Sequence, residues 1–281
     1  MNRKINVISE IGINHNGSID TCKELIRVSK DAGADYAKIQ KRNPDLCVPE
    51  AQKSKPKSTP WGEMTYLEYK HRVEFDETQI KELVEYAREI GIEFFASVWD
   101  LDSVEIMAKC TNIGKIPSAL ITNLELCKAS RAAFDTLIIS TGMSTEEEIK
   151  ACIEACNPDV IMHTNSTYPC PPEDVNLNYI DRLHERWGRG TDVDAEIGYS
   201  GHEEGLEVSQ CAFGKGVTWV ERHVTLDKTM WGSDQSASIE PDELEGLVRG
   251  ARIAEKAMQY PAGPRMLFEK ENVKRESLRG N

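Results

Sequence analysis

The sequence predicts a single (β/α)8 barrel, a closed ring of eight parallel strands with helices around it. Eight short apolar runs recur along the 281 residues, and helix-length segments separate most of them. This alternation is typical of parallel βα units. The alternative is a doubly wound open sheet, but no Gly-x-Gly-x-x-Gly turn follows a strand to support the nucleotide binding typical of that fold. We expect the strands at residues 5–11, 36–40, 93–97, 114–117, 136–140, 160–163, 195–200 and 218–221.

Capping residues mark where several of the intervening helices begin and end. Asp76 begins one helix and Gly91 ends it, because a short polar side chain satisfies free amide groups and glycine accepts the left-handed conformation. Ser144 followed by Glu147 predicts a capping box for another helix. Residues 206–213 also have helical spacing, and they connect the last two predicted strands.

Two segments interrupt the regular alternation of strands and helices. Residues 41–75 are longer than an ordinary βα connection, and we interpret them as a long loop insertion that forms a lid over the active-site end or an interface. Residues 259–281 are polar and follow the last helix. We therefore expect a barrel domain over residues 1–258 and a C-terminal extension over residues 259–281.

The charge balance excludes several classes of partner. The chain has 34 Lys and Arg against 47 Asp and Glu, a net charge of −13, which argues against binding to nucleic acid or to an acidic membrane. No apolar stretch approaches the roughly 18 residues of a membrane-spanning helix, and no apolar signal segment opens the chain. We expect a cytoplasmic protein.

The eight cysteines lie mostly in or beside predicted helices, so we interpret them as small buried hydrophobes rather than as disulfides. Cys152 and Cys156, four residues apart on one helix face, would suit a metal ion. No second pair accompanies them, however, and their neighbours are apolar. We therefore assign these two cysteines to the core as well.

Polar side chains collect where the predicted strands end, which is where (β/α)8 barrels carry their active sites. Lys38 and Lys115 are the lysines among them, and several hydroxyls accompany them. Together these groups predict a cradle for a phosphate or a carboxylate, although a strand lysine is equally able to pair with a neighbouring Asp or Glu. The cradle would consist of Lys38, Lys115, Ser97, Ser118, Ser166 and Ser200.

His202 and His223 each close one of the last two strands. If those strands are neighbours, the two imidazoles lie at the same end and can share one divalent metal with open positions for a substrate. The alternative is a pair of core histidines bonded to the backbone. An open site of nitrogen and oxygen ligands suits Mn²⁺ or Mg²⁺ at least as well as zinc.

Six motifs occur in order along the chain. They are Glu10-Ile11-Gly12-Ile13-Asn14-His15-Asn16-Gly17, Ala32-Gly33-Ala34-Asp35 leading to Lys38-Ile39-Gln40, Ser140-Thr141-Gly142-Met143, Ser166-Thr167-Tyr168-Pro169, Gly198-Tyr199-Ser200 with His202, and Glu221-Arg222-His223 through Gly232-Ser233-Asp234. As an ordered set they resemble the N-acetylneuraminate (sialic acid) synthase family, which includes the legionaminate and pseudaminate synthases. The resemblance covers nearly the whole chain.

The resemblance implies a transferase of carbohydrate biosynthesis that condenses phosphoenolpyruvate with an N-acyl amino sugar aldehyde, giving a nine-carbon 2-keto sugar acid and phosphate. It implies that His202 and His223 bind one divalent metal, Mn²⁺ or Mg²⁺, and that the cradle holds phosphoenolpyruvate. Glu10, Lys38 and Lys115 would be the catalytic residues. The residues that would face the sugar or the metal-bound water are Gln40, Tyr168 and Asp234. A homodimer is the expected assembly.

Three departures from the family pattern bear on this assignment. Leu120 stands where the family has a carboxylate that activates or orients the attacking water, and Gly201 stands where it usually has an Asp before the first metal histidine. The family's C-terminal antifreeze-like domain is not expected within these 281 residues. Two alternatives therefore stay open: a catalytically silent relative that binds phosphoenolpyruvate or a sugar, and a related metal-dependent synthase for another aldose.

Overall fold

The structure, a computed structural model, describes residues 4–279. In chain order its first half contains β1 (Asn6–Gly12), α1 (Ile19–Asp31), β2 (Tyr36–Lys41), α2 (Pro44–Cys47), α3 (Glu50–Lys53), β3 (Pro56–Thr59), β4 (Gly62–Thr65), α4 (Tyr66–Val73), α5 (Glu77–Ile90), β5 (Glu93–Val98) and α6 (Leu101–Ala108). The second half contains β6 (Ile113–Ile116), α7 (Leu124–Ala133), β7 (Thr136–Ser140), α8 (Glu146–Cys156), β8 (Val160–Thr164), α9 (Pro172–Val175), α10 (Tyr179–Trp187), β9 (Glu196–Gly201), α11 (Glu207–Gly214), β10 (Trp219–His223), α12 (Pro241–Ala257) and α13 (Glu269–Arg279).

Eight parallel strands close into a barrel in the order β1, β10, β9, β8, β7, β6, β5, β2. The predicted (β/α)8 architecture is confirmed, and each predicted strand is present with its ends shifted by at most two residues. The strands are short because each needs only to cross the barrel wall. They are mostly apolar because helices cover one face and the barrel interior covers the other, and their polar residues collect toward the carboxyl ends.

The helix caps agree with the sequence at one site and differ by a residue at another. Asp76 caps α5 and Gly91 ends it with φ 77°, as predicted. The capping box of α8, however, uses Thr145 with Glu148, so the prediction of Ser144 with Glu147 is wrong by one position. Ser144 Oγ donates instead to the carbonyl of Gly142 at 3.2 Å, which removes it from the helix end.

Residues 41–75 are not an irregular loop. They fold into α2, α3, the antiparallel hairpin of β3 and β4, and α4. A reciprocal capping box between Thr65 and Glu68 begins α4 directly after the hairpin, and this local signal explains why the segment is ordered. Beyond α12 the chain contains the exposed helix α13, which the sequence analysis had not predicted.

The interior of the barrel divides into an apolar end and a polar end. Large apolar side chains fill the end at which the strands begin: Ile8, Phe95, Ile113, Ile138, Val160, Met162 and Trp219. Beyond this plug a cavity opens toward the carboxyl ends of the strands, where the sequence predicts the site of a barrel enzyme. A second cavity lies on the other side of the plug, where the strands begin, beside Tyr36, Glu93 and Trp219. Within residues 4–279, none of the helices combines the length and apolar character that crossing a membrane requires.

Candidate active site

A cavity of about 510 Å³ opens at the carboxyl ends of the barrel strands. Every residue that the sequence analysis placed in the site lines it. These residues are Glu10, Lys38, Gln40, Ser97, Lys115, Ser118, Ser166, Tyr168, Ser200, His202, His223 and Asp234. Because they come from seven of the eight barrel strands or the loops after them, only closure of the barrel brings them together.

Strand register places the two histidines side by side. In the pairing of β9 with β10, Gly201 lies opposite Arg222, so His202 and His223 follow at the same level. The centroids of their rings are 5.4 Å apart. Two imidazoles that bind one ion through nitrogens about 2.1 Å away have centroids roughly 5 Å apart. The separation therefore suits a shared metal.

The free ring nitrogens also suit a metal. The carbonyl of Asn165 lies 2.6 Å from Nδ1 of His202; the carbonyl can only accept, so Nδ1 carries the proton and Nε2 keeps its lone pair. Burial, with His223 nearby, lowers the pKa of His202 to about 3, which keeps the ring neutral. Nδ1 of His223 is buried without a hydrogen bond and lies 3.8 Å from Asp234 Oδ2. Two imidazoles and a carboxylate thus fit a divalent ion.

Tyr168 covers this pair of histidines from the solvent side. Its ring centroid lies 3.9 Å from that of His202 and 5.7 Å from that of His223. Burial raises the pKa of the Tyr168 phenol well above its ordinary value, so the group stays protonated and can donate a hydrogen bond. It stands at the border between the metal residues and the open part of the cavity.

The two strand lysines form a buried network with two glutamates. Lys38 Nζ lies 2.5 Å from Glu10 Oε2, and Lys115 Nζ lies 2.7 Å from Glu221 Oε1. Lys38 also lies 3.7 Å from Glu221 and donates to Ser97 Oγ at 2.8 Å. The alternative left open by the sequence, pairing of each lysine with an acid, is therefore realised. The four side chains cancel in charge, so they present alternating signs rather than a purely cationic cradle.

Glu221 is the member of this network to which the sequence analysis gave no role. It is buried at the centre, where Ser200 Oγ donates to it at 3.2 Å. Burial alone would raise the pKa of Glu221, but Lys115 and Lys38 outweigh it and hold the pKa below the ordinary value. The carboxylate therefore stays ionised and fixes both lysines. In the sequence, Glu221 stands two residues before His223 in one of the six motifs, and this position could have indicated that it belongs to the site.

Hydroxyl groups form a second, uncharged part of the cavity around Gly142. The Gly142 amide donates to Ser118 Oγ at 3.1 Å. A Cβ atom at Gly142 would lie 2.3 Å from Ser166 Oγ and 2.9 Å from Ser118 Oγ, so any side chain there would fill the space between the two serines. Because the oxygen of Ser118 already accepts a hydrogen bond, its own hydroxyl hydrogen is free to donate toward an anion.

The structure shows what surrounds Leu120 and Gly201, the two residues that depart from the family pattern. Leu120 packs against the hydrophobic core and does not line the cavity. At Gly201 a Cβ atom would lie 2.3 Å from Glu203 Oε2. Glu203 occupies that space because its carboxylate binds Arg222 at 3.0 Å and Tyr199 at 2.8 Å. An Asp at position 201 would displace this buried carboxylate.

Residues 41–75 contribute a group of cavity residues that the sequence analysis did not find. Arg42 stacks on Trp99 with 4.3 Å between guanidinium carbon and ring centroid, pairs with Glu74 at 2.7 Å and donates to Gln40. Tyr66 lines the same wall from α4. The T-x-x-E capping signal at the start of α4 could have predicted this helix, though not which of its residues face the barrel.

Lys70 is the unusual member of this group. It is only 8% exposed, and no acidic side chain among residues 4–279 lies within ion-pair distance of it. Its Nζ lies 5.3 Å and 5.2 Å from the ring centroids of Tyr66 and Tyr69. Burial, together with the charges of Arg42 and Lys57 and against those of Asp234 and Glu74, lowers the pKa of Lys70 to about 8. A buried, unpaired cation at a cavity wall is costly unless an anion joins it.

The sequence and the fold were compared with known proteins. The model of the NeuB family matches residues 25–262. N-acetylneuraminate-9-phosphate synthase of Mus musculus is 38% identical over 262 residues, covering 91% of this chain and 71% of that protein. N,N'-diacetyllegionaminic acid synthase of Campylobacter jejuni is 33% identical over 266 residues, covering 91% and 78%. A crystal structure of N-acetylneuraminic acid (sialic acid) synthetase from Leptospira borgpetersenii with citrate superposes with a TM-score of 0.86 at 27% identity, covering 100% and 94%.

Proposed function

This chain belongs to the NeuB family, and from that premise we propose that its cavity condenses phosphoenolpyruvate with an amino sugar aldehyde, as an N-acetylneuraminate synthase-like transferase. The observation that carries the proposal is the convergence of His202, His223 and the hydroxyls around Gly142 on one cavity. The silent-relative alternative gains no support from the comparisons.

We propose that the hydroxyls and the lysines hold phosphoenolpyruvate. The space between Ser118 and Ser166 accepts an anion because the Gly142 position carries no Cβ and the serine hydroxyls can donate. Lys38 and Lys115 lie deeper, at the level of Glu221. Since the glutamates cancel the lysine charges, the site holds the substrate by directed hydrogen bonds rather than by an excess of positive charge.

His202, His223 and Asp234 would hold the divalent metal. When bound, this ion would act as a Lewis acid on the carbonyl oxygen of the sugar aldehyde. Tyr168 packs on His202 and limits the access of water to that side of the cavity. Whether the ion is Mn²⁺ or Mg²⁺ stays a prediction, as do the homodimer and the cytoplasmic location.

Glu10 is the group we propose for orienting the water. After carbon 3 of the enol phosphate has bonded to the aldehyde carbon, the double bond is used up, and this water attacks the resulting cation at carbon 2. Glu10 lies opposite His223 in the strand register and is 2% exposed. Leu120 does not line the cavity, so the family carboxylate at that position has no counterpart there. Addition of water at carbon 2, followed by loss of phosphate, then gives the 2-keto acid.

The sugar would occupy the wider part of the cavity beneath α4, where we propose that Lys70 and Arg42 face an anionic substituent. The product gains three carbons from phosphoenolpyruvate, so carbon 9 of the product is carbon 6 of a hexose. The murine relative is named for a 9-phosphate product. A 6-phosphorylated amino hexose would supply the anion that buried Lys70 lacks.

Phosphate release from phosphoenolpyruvate, measured with Mn²⁺ and a panel of neutral and 6-phosphorylated N-acyl amino hexoses, tests the proposal. We expect release that depends on the sugar. Glu10→Gln keeps the shape of the side chain and removes its charge, so kcat should fall at least ~100-fold while the KM for phosphoenolpyruvate changes less.

Two results would count against these assignments. Absence of release with every sugar, despite measurable binding of phosphoenolpyruvate, would contradict the synthase activity. An unchanged kcat in Glu10→Gln, or a rise in kcat when Leu120→Glu puts back the family residue, would show that Glu10 does not orient the water.

A further inference from the structure

Three buried cysteines outside the active site lie together between two helices of the outer ring. Cys127 comes from α7, and Cys152 and Cys156 come from α8. None of the three lines the barrel cavity. We propose that this cysteine cluster is a binding site for a thiophilic metal ion, and that three-coordinate Cu(I) is the ion it fits.

The spacing of the sulfur atoms is that of ligands around one ion. Cys127 Sγ lies 3.6 Å from Cys152 Sγ, which lies 3.9 Å from Cys156 Sγ. All three sulfur atoms lie within 4.8 Å of one another. Sulfur ligands about 2.3 Å from a common ion are separated by roughly 3.8–4.0 Å in tetrahedral or trigonal geometry. The side chains therefore need little movement to bind.

The number of ligands decides which ion fits. Within residues 4–279, no fourth Cys, His, Asp or Glu joins the group. Structural zinc sites almost always have four ligands. The surroundings, which include Ile149 and Ile153, belong to the apolar core, and a water ligand needs polar partners that such surroundings do not favour. Soft thiolate ligands select Cu(I), and three sulfurs satisfy its coordination. In the sequence, only Cys152 and Cys156 stood out as a pair. The third sulfur, from Cys127, joins them because α7 packs on α8.

Binding requires that the ion displace thiol protons, and the neighbouring thiols together with burial raise the pKa of Cys152 and of Cys156, so Cys127 alone is set to lose its proton readily. Hydrogen bonds from Cys152 and Cys156 lower the pKa of the Cys127 thiol below its ordinary value. Arg131 follows Cys127 by one turn of α7, and its guanidinium donates to the carbonyl of Asn157, the residue after Cys156, at 3.4 Å. Arg131 thus stands at the rim of a site that becomes anionic when the protons leave to solvent, with Asp159, 2.7 Å from the guanidinium, offsetting part of its charge.

An ion can reach the site from the end of α8. Cys156 is the last residue of this helix, and Asn157 leaves it in the left-handed conformation with φ 40°. Terminal helical turns open more readily than the middle of a helix. Fraying of this one turn exposes Cys156 and then its two partners, without opening the barrel.

Titration of the reduced full-length protein with Cu(I), supplied anaerobically as its complex with a competing chelator, tests the proposal. We expect one Cu(I) per chain, with only sulfur ligands in X-ray absorption. Cys127→Ser and Cys152→Ser should each bind at least 100-fold more weakly. Cys22→Ser, at a cysteine equally buried on α1, is the matched control and should bind like the unaltered chain.

The X-ray absorption measurement on the unaltered chain keeps the test valid where a variant fails to fold. Nitrogen ligands in that spectrum would place the ion at His202 and His223 and overturn the proposal. So would equal affinity in Cys127→Ser, no uptake of Cu(I) by the unaltered chain, or sulfur-only binding of Zn²⁺ without any binding of Cu(I).

Discussion

At the residue scale, the space left open by Gly142 determines how an anion fits between the two serines. In Gly142→Ala the new methyl group would lie 2.3 Å from Ser166 Oγ and 2.9 Å from Ser118 Oγ. Since the backbone there needs no positive φ, the folding cost is small and the cradle alone is filled. We expect the KM for phosphoenolpyruvate to rise ~tenfold or more, which corresponds to a loss of ~1.4 kcal/mol of binding free energy.

Steady-state kinetics with varied phosphoenolpyruvate measures this effect. Gly214→Ala is the matched control, because a Cβ atom at Gly214 meets no atom within 4 Å and the expected kinetics are those of the unaltered chain. An unchanged KM in Gly142→Ala would mean that phosphoenolpyruvate lies elsewhere in the cavity.

Some contacts of individual residues could not be predicted from the sequence. The sequence placed Lys38 and Lys115 in the cavity because both lie at the ends of barrel strands. It could not decide whether they pair with acids, since Lys115 and Glu221, for example, lie 106 residues apart and the pairing depends on barrel closure. The same holds for Gly201, whose small size is explained by the Glu203 carboxylate packed against it.

At the scale of elements, α4 sets the chemistry of the cavity wall that we propose faces the sugar, because it positions Lys70. Its pKa near 8 means that the ammonium loses its proton as the pH rises through about 8. We expect kcat/KM for a 6-phosphorylated amino hexose to fall above pH 8, and Lys70→Arg, which stays charged, to abolish that fall. Lys70→Met should raise the KM for the phosphorylated sugar ~10-fold or more and leave that for its neutral analogue nearly unchanged.

The pH profile of kcat/KM for the two sugars provides the measurement. Lys57→Met is the comparison variant, because Lys57 also lies over Tyr69, at 5.5 Å, but does not line the cavity. Since Lys57 lowers the pKa of Lys70, its loss should move the fall of kcat/KM to higher pH without raising the KM for the phosphorylated sugar. If Lys70→Met weakened both sugars equally, Lys70 would serve the packing of α4 and not the recognition of an anion.

At the scale of the whole molecule, metal binding at the barrel mouth should be visible as global stability. A ligand bound only by the folded chain stabilises it by about 2.7 kcal/mol at a hundred times its Kd, which amounts to several degrees of Tm at this size. We expect Mn²⁺ to raise the Tm of the unaltered chain by that amount. His202→Ala and His223→Ala should fold and show no rise.

Thermal unfolding with and without Mn²⁺ measures the shift, and His71→Ala is the control because His71 is exposed on α4. A full rise of Tm in either active-site variant would contradict a shared site.

The sequence by itself determined the eight strands, the barrel that they form and the residues at their ends, because strand periodicity and helix caps are local and the ends of parallel strands must meet. It determined the family through motifs distributed along the whole chain. Only the tertiary structure decided which side chains touch. The pairing of Lys115 with Glu221, the approach of Lys70 to the cavity and the meeting of Cys127 with Cys152 each join separate elements. Such contacts follow from packing in three dimensions, which no local pattern records.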